Sequence, residues 1–104
     1  MSEISETRDT LELISRVRKE DGVAFEALLK KYTPLIEASV VKVLGEDLLS
    51  LYGDDFRQEA TVVFYNSILT YDMEQHEVEF GLYAKICIAN ALISQLRVLK
   101  NRTI

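Results

Sequence analysis

Few side chains in this sequence could do chemistry, and their spacing decides which chemistry that would be. Asp54, Asp55 and Glu59 bring carboxylates close together, the starting point for paired acid–base work. No histidine and no further acid stands at matching helical spacing, so no proton relay forms around them. His76 lies between Glu74, Glu77 and Glu79 in a polar run, which reads as a solvated loop rather than a metal site. Cys87 has no neighbouring cation or helix start to activate its thiol and reads as a small buried hydrophobe. There is no glycine-rich phosphate loop, no nucleophile with a base at usable spacing and no cluster of metal ligands. The expectation is a non-enzyme without cofactor or metal, whose chemistry is recognition.

The stretch Asp54–Asp72 must position that recognition. Phe56, Ala60, Val63, Phe64, Ser67, Ile68 and Tyr71 follow the spacing of one helix face. On the opposite side Asp55 and Gln58 are followed by a second stripe, Val62, Tyr65 and Leu69. A helix with an apolar stripe on each side is either sandwiched within its own domain or offers one side to a partner.

A length of 104 residues suits one domain, 1–104, with a single core. Apolar content of 48% and charged content of 28% are those of a globular chain, and one Pro and four Gly argue for helices with short connections. A lone cysteine excludes an internal disulfide and suits a reducing cytosol, so a cytoplasmic location is expected. The acidic start carries no secretory signal, and no apolar run is expected to reach the roughly 20 residues that span a bilayer. The net charge of −5 conceals an asymmetry. Every acid lies at or before Glu79, and only Lys85, Arg97, Lys100 and Arg102 are charged beyond it, giving the C-terminal helix a local positive field.

Taken in order, residues 1–8 are expected to be a flexible N-terminus, and Asp9-Thr-Leu-Glu12 has the form of a capping box opening a short helix to about Glu20. Asp21 can cap a second helix over about 22–44, whose stripe runs from Phe25 through Leu28, Tyr32, Ile36 and Val40 to Leu44. Pro34 predicts a kink in it. Gly45 can end it in the left-handed conformation; 46–52 gives one or two turns stopped by Gly53; Asp54 caps the next helix. Asp72–Glu79 is polar and aperiodic, a loop. A last helix covers about 80–100, with Phe80, Ala84, Ile88, Ala91, Leu92 and Leu99 inward and Leu82, Ile86, Asn90, Ile93, Arg97 and Lys100 outward. Ile86 and Ile93 could instead be buried against the first helix. Residues 101–104 would begin a linker. The expected fold is all-α, a compact bundle of four to five helices.

The last two long helices resemble region 2 of the bacterial sigma-70 family, the specificity subunits of RNA polymerase. The likeness rests on Asp55-Phe-Arg-Gln-Glu-Ala60 continuing to Tyr71-Asp72, on Phe80-Gly-Leu-Tyr83-Ala84, and on the run Ala91-Leu-Ile-Ser-Gln-Leu-Arg97. Tyr32-Thr-Pro34-Leu35-Ile36 is similar to the family's earlier helix. The resemblance implies a sigma region 2-like fold whose outer flank docks on the clamp helices of the polymerase's largest subunit, through Asp55, Gln58, Glu59, Thr61, Val62, Tyr65 and Leu69. It implies further that the loop and last helix recognise and melt the promoter −10 element. Tyr83 matches the aromatic of the flipped-base pocket, with Tyr71 and Phe80 as its supports. Asn90 and Ser94 match positions facing duplex bases, and Arg97 and Lys100 suit phosphates. Lys85 and Ile86 complete this DNA-binding set. An anti-sigma factor is a further partner the family implies, and no membrane is.

The sequence departs from the family in three places. The wedge of paired tryptophans is Ile86-Cys87, the following Arg is Ala89, and the usually basic loop carries Glu74, Glu77 and Glu79. These changes resemble an alternative sigma factor with weaker melting, or a sigma-like interaction module that has kept the protein contact and lost DNA. Arg97, Lys100 and Arg102 could also merely complement the helix dipole. No helix-turn-helix region follows Arg102 to read a −35 element; either the chain is a domain of a longer protein or it acts alone, and a sequence that stops just past a helix favours the former.

Overall fold

A computed structural model describes residues 2–103, and Met1 and Ile104 lie outside the described residues. Three helices account for all the regular structure described: α1 (Ser2–Arg18), α2 (Gly22–Thr70) and α3 (Phe80–Thr103). The chain is all-α as expected, but the helices number three rather than four to five, because α2 takes in everything expected as separate helices at 22–44, 46–52 and 54–72.

α2 is bent rather than straight. Gly45 has φ 73° and ψ 171°, the one non-helical residue inside it. With this ψ it is in the extended positive-φ region essentially confined to glycine, rather than the left-handed helical conformation expected, and it would cost an L residue about 1–3 kcal/mol. The chain folds back here, so 22–44 and 46–70 run side by side in opposite directions. Phe64 meets Phe25 and Tyr32 across the fold, with ring centroids 6.4 and 5.6 Å apart. Arg57 Nε donates to Glu37 at 2.8 Å, and this hydrogen bond, then the charge behind it, raises the arginine pKa. Pro34 sits within the first arm without breaking its helical backbone; the turn falls at Gly45.

Gly53 and Asp54 correct the expected stop and cap. Gly53 is buried inside the second arm, where a Cβ would meet Arg57 Nη1 at 3.2 Å and Leu49 Cδ1 at 3.3 Å. A mid-helix glycine costs roughly 0.5–1 kcal/mol against alanine. Burying Phe56 one turn later contributes about 1.5–3 kcal/mol and wins. Asp54 is exposed and accepts from Arg57 Nη1 at 2.8 Å instead of capping a helix.

α1 begins well before Asp9, at Ser2, so that residues expected to be flexible form its first turns. No Gly or Pro stands between Ser2 and Asp9 to stop it. It ends at Arg18, and Glu20 adopts φ 66° beyond it. Asp21 then caps α2 as the sequence indicated, its Oδ1 accepting from Val23 N at 3.0 Å and Ala24 N at 3.2 Å. The Ala24 hydrogen bond and then Arg16, whose Nε donates at 2.9 Å, hold this carboxyl below its ordinary range.

One core joins all three helices. Ile14 and Val17 of α1 meet Leu28, Ile36 and Val40 of the first arm, Phe56, Ala60, Phe64 and Ile68 of the second, and Phe80, Ala84, Ile88 and Leu92 of α3. α3 continues to Thr103, through most of the segment expected to begin a linker. It is also long and apolar enough over Phe80–Arg102 to cross a membrane by length and composition, which corrects the expectation that no run reaches that length. Only 17% of that apolar window is buried, but its inward residues are core residues of a helical domain. A span would also place Lys85 and Arg97 in hydrocarbon, at a cost of several kcal/mol.

Candidate functional site

The second arm of α2 separates its two stripes as a helix of 3.6-residue period must. Phe56, Ala60, Phe64, Ser67, Ile68 and Tyr71 are buried and Val63 is half-buried. Val62, Tyr65 and Leu69 remain 56%, 39% and 42% exposed, and Asp55, Gln58 and Glu59 lie fully outside with them. Of the two options for a double-striped helix, this one offers a side.

Tyr65 is held in place rather than loose. Its ring stands edge-on against Phe25 with centroids 5.3 Å apart and planes at 88°. Phe25 in turn packs on Phe64, so an exposed aromatic is braced from the core. Beside it, Val17, Gly22 and Phe25 join Thr61, Val62 and Tyr65 in a shallow, mainly apolar groove at the corner between α1 and α2. Thr61 is half-buried and its hydroxyl donates to Arg57 O at 2.9 Å, which leaves its methyl for the groove. The contribution of the α1–α2 corner was not readable from the sequence, because it depends on where the second arm crosses Phe25.

α3 shows the same division. Phe80, Ala84, Ile88 and Leu92 are buried, while Lys85, Ile86, Asn90, Ile93, Ser94, Arg97 and Lys100 are exposed. Exposure settles the place of Ile86 and Ile93: they do not pack beneath α1. Ala91 and Leu99, expected inward, are half-buried.

The aromatic set at the head of α3 divides between core and surface. Tyr71 and Phe80 are core residues at 6% and 3% exposure, so neither offers a ring face to a base, and their role at this end is that of supports. Tyr71 and Phe80 pack edge to face at 5.4 Å, and Tyr71 lies 5.4 Å from Tyr83. Tyr83 is half-buried and its hydroxyl shares a hydrogen bond of 2.8 Å with Thr70 Oγ1. Tyr83 is therefore the one member of this set with ring surface left to offer.

Asp72–Glu79 is a loop, as its aperiodicity indicated, but an ordered one, and Gln75 organises it. The Gln75 amide donates to Asp72 O and Val78 O at 3.1 and 2.7 Å and accepts from Glu77 N and Val78 N at 2.9 Å. The Tyr71 hydroxyl donates to Val78 O at 2.5 Å. Arg18 ties α1 to the same place, its Nε donating to Ile68 O at 2.9 Å and its Nη2 to Tyr71 O, carbonyls left open by the end of α2. The loop, Tyr32, Tyr71, Phe80 and Lys31 border a cleft of about 460 Å³ with exposed His76 at its edge. Arg18 carried no sequence signal, since its carbonyl partners lie 50 and 53 residues away. The Gln75 bonds lie within three residues of it, and the aperiodicity that marks the run as a loop does not show them. Among the described residues no group of three or more His, Cys, Asp or Glu gathers in a way that could hold a metal ion.

No family model matches the chain, and neither a curated protein nor a solved structure does.

Proposed function

We propose that this protein is a transcription initiation factor domain of sigma region 2 type, docking on core RNA polymerase through the outer flank of 46–70. The observation that carries the reading is the exposure of Val62, Tyr65 and Leu69 beside Asp55, Gln58 and Glu59 on a helix whose other flank is sealed. Acids and an amide at one end suit Arg and Lys on a partner helix, and the aliphatics with a braced tyrosine supply area to desolvate. Aromatic anchors of this kind lose little side-chain freedom on binding, which favours them in interfaces.

DNA contact on the promoter −10 element would fall to Tyr83 with the acid-free outer face of α3. Asn90 and Ser94 suit base edges, Arg97 and Lys100 suit phosphates, and Lys85 adds to the local field. A second reading is a sigma-like interaction module that binds polymerase or a regulator without DNA. It is favoured by the exposed acids Glu74, Glu77 and Glu79 near Tyr83 and by the aliphatic Ile86 where a stacking wedge would be needed. The two readings separate on one experiment with purified chain, core polymerase and a −10 single strand. Crosslinking that Tyr83→Ala reduces by about tenfold or more, consistent with roughly 1–3 kcal/mol of stacking per base, supports the DNA role. Polymerase binding without any crosslink leaves the interaction module.

A further inference from the structure

The outer stripe of 46–70 and that of α3 are complements of one another, and we infer that two copies of this chain associate by laying one stripe on the other, antiparallel. Followed from its start, the exposed side of the second arm passes from an acid to aliphatics: Glu59, Val62, Asn66, Leu69. Followed backwards from its end, α3 passes from a base to aliphatics: Arg97, Ile93, Asn90, Ile86. Both series climb a helix face in steps of three or four, so one registers with the other along its length. Glu59 then meets Arg97, Val62 meets Ile93, Asn66 meets Asn90 and Leu69 meets Ile86. The ends form a charge-assisted pair, the amides can each donate and accept, and the aliphatics cover surface that is 42–56% exposed in the single chain.

The alternatives are penalised. A parallel arrangement sets Glu59 against Ile86 and Arg97 against Leu69, covering each charge without a partner. Either stripe laid on its own copy brings like charges together or leaves them unpaired. Each chain carries one stripe of each kind, and the arrangement inferred is the two-fold one, in which the contact forms twice and the assembly closes at a dimer rather than propagating head to tail. The regulatory consequence rests on the function proposed above. A dimer would cover the docking flank and the DNA-facing side together, keeping the free protein from both until polymerase captures a monomer.

Sedimentation velocity of the whole chain over about 1–100 μM tests this, the range in which a modest interface dissociates. The wild type is expected to pass from monomer to dimer. Glu59→Arg and Arg97→Glu are each expected to raise the dimer dissociation constant about tenfold or more, and the combined swap to bring it back. Both residues are exposed, so the variants should keep the wild-type circular dichroism spectrum, which is recorded alongside. A wild type that stays monomeric overturns the inference. So does a dimer indifferent to either swap, or a well-folded double variant that fails to recover. No polymerase is present, so a monomer here leaves the docking proposal standing, and a dimer whose monomer ignores polymerase removes the docking proposal alone.

Discussion

Phe64 and Tyr65 are neighbours in one helix and live in two environments. Phe64 is fully buried among Phe25, Tyr32 and Phe80, whereas Tyr65 is 39% exposed and leans edge-on against Phe25. The same contrast runs the length of 46–70, where Phe56, Ala60 and Ile68 hold the bundle and Asp55, Val62 and Leu69 do not. The inner flank is explained by folding. The outer flank is not, and its exposed aliphatics beside Tyr65 are the ground on which it is proposed as a docking surface.

Mutations can break this contrast or sharpen it. Phe64→Ala should lower stability by about 3–5 kcal/mol in urea unfolding, since it removes a ring at the centre of the aromatic cluster. Val62→Ala, on the outer flank, should stay within about 0.5 kcal/mol. Equal losses at the two positions would erase the distinction. A smaller effect belongs to the bend that brings the flanks into being: Gly45→Ala should cost about 1–3 kcal/mol for its φ of 73° and ψ of 171°, with nothing near the added Cβ to offset or worsen it.

Smallest is the pH term at the α1–α2 corner. The folded carboxyl of Asp21 is held below its ordinary value, so its contribution is present above the unfolded value of about 3.9 and is lost as pH falls through the lower folded value. Asp21→Asn keeps a capping side chain but not the charge opposite Arg16. The wild type should therefore unfold at higher urea than Asp21→Asn at about pH 5 and lose that advantage towards about pH 2. An advantage that persists in acid would mean the charge is not its source.

Periodicity carried most of what could be read in advance. The stripes of all the long segments, the Asp21 cap, the loop at 72–79 and the start of α3 at Phe80 are each local in sequence, and local patterns survive folding. What failed was punctuation. Gly45 and Gly53 look alike in sequence, but one turns the chain and the other lies inside a helix, because Leu49, Phe56 and Arg57 keep the helical phase across Gly53 and none of it has to cross Gly45. Asp54 and Asp9 look like caps and are not, since the helix already runs through the residues before each of them. In the candidate site the outer residues were legible from the wheel. The braces were not: Phe25 behind Tyr65 and Arg18 on the carbonyls at the end of α2 act over sequence distances that no short pattern records.

The central claim is that the outer flank of 46–70 docks on polymerase, and the most direct measurement is equilibrium binding of the chain to core RNA polymerase beside the variant carrying Gln58→Ala and Glu59→Ala together. Both side chains are exposed and away from the core, so the variant should keep its helicity and unfolding midpoint. Its affinity should fall about tenfold or more, corresponding to two polar contacts of roughly 1 kcal/mol each. A wild type that does not bind, or a folded variant that binds as well as the wild type, would contradict the claim.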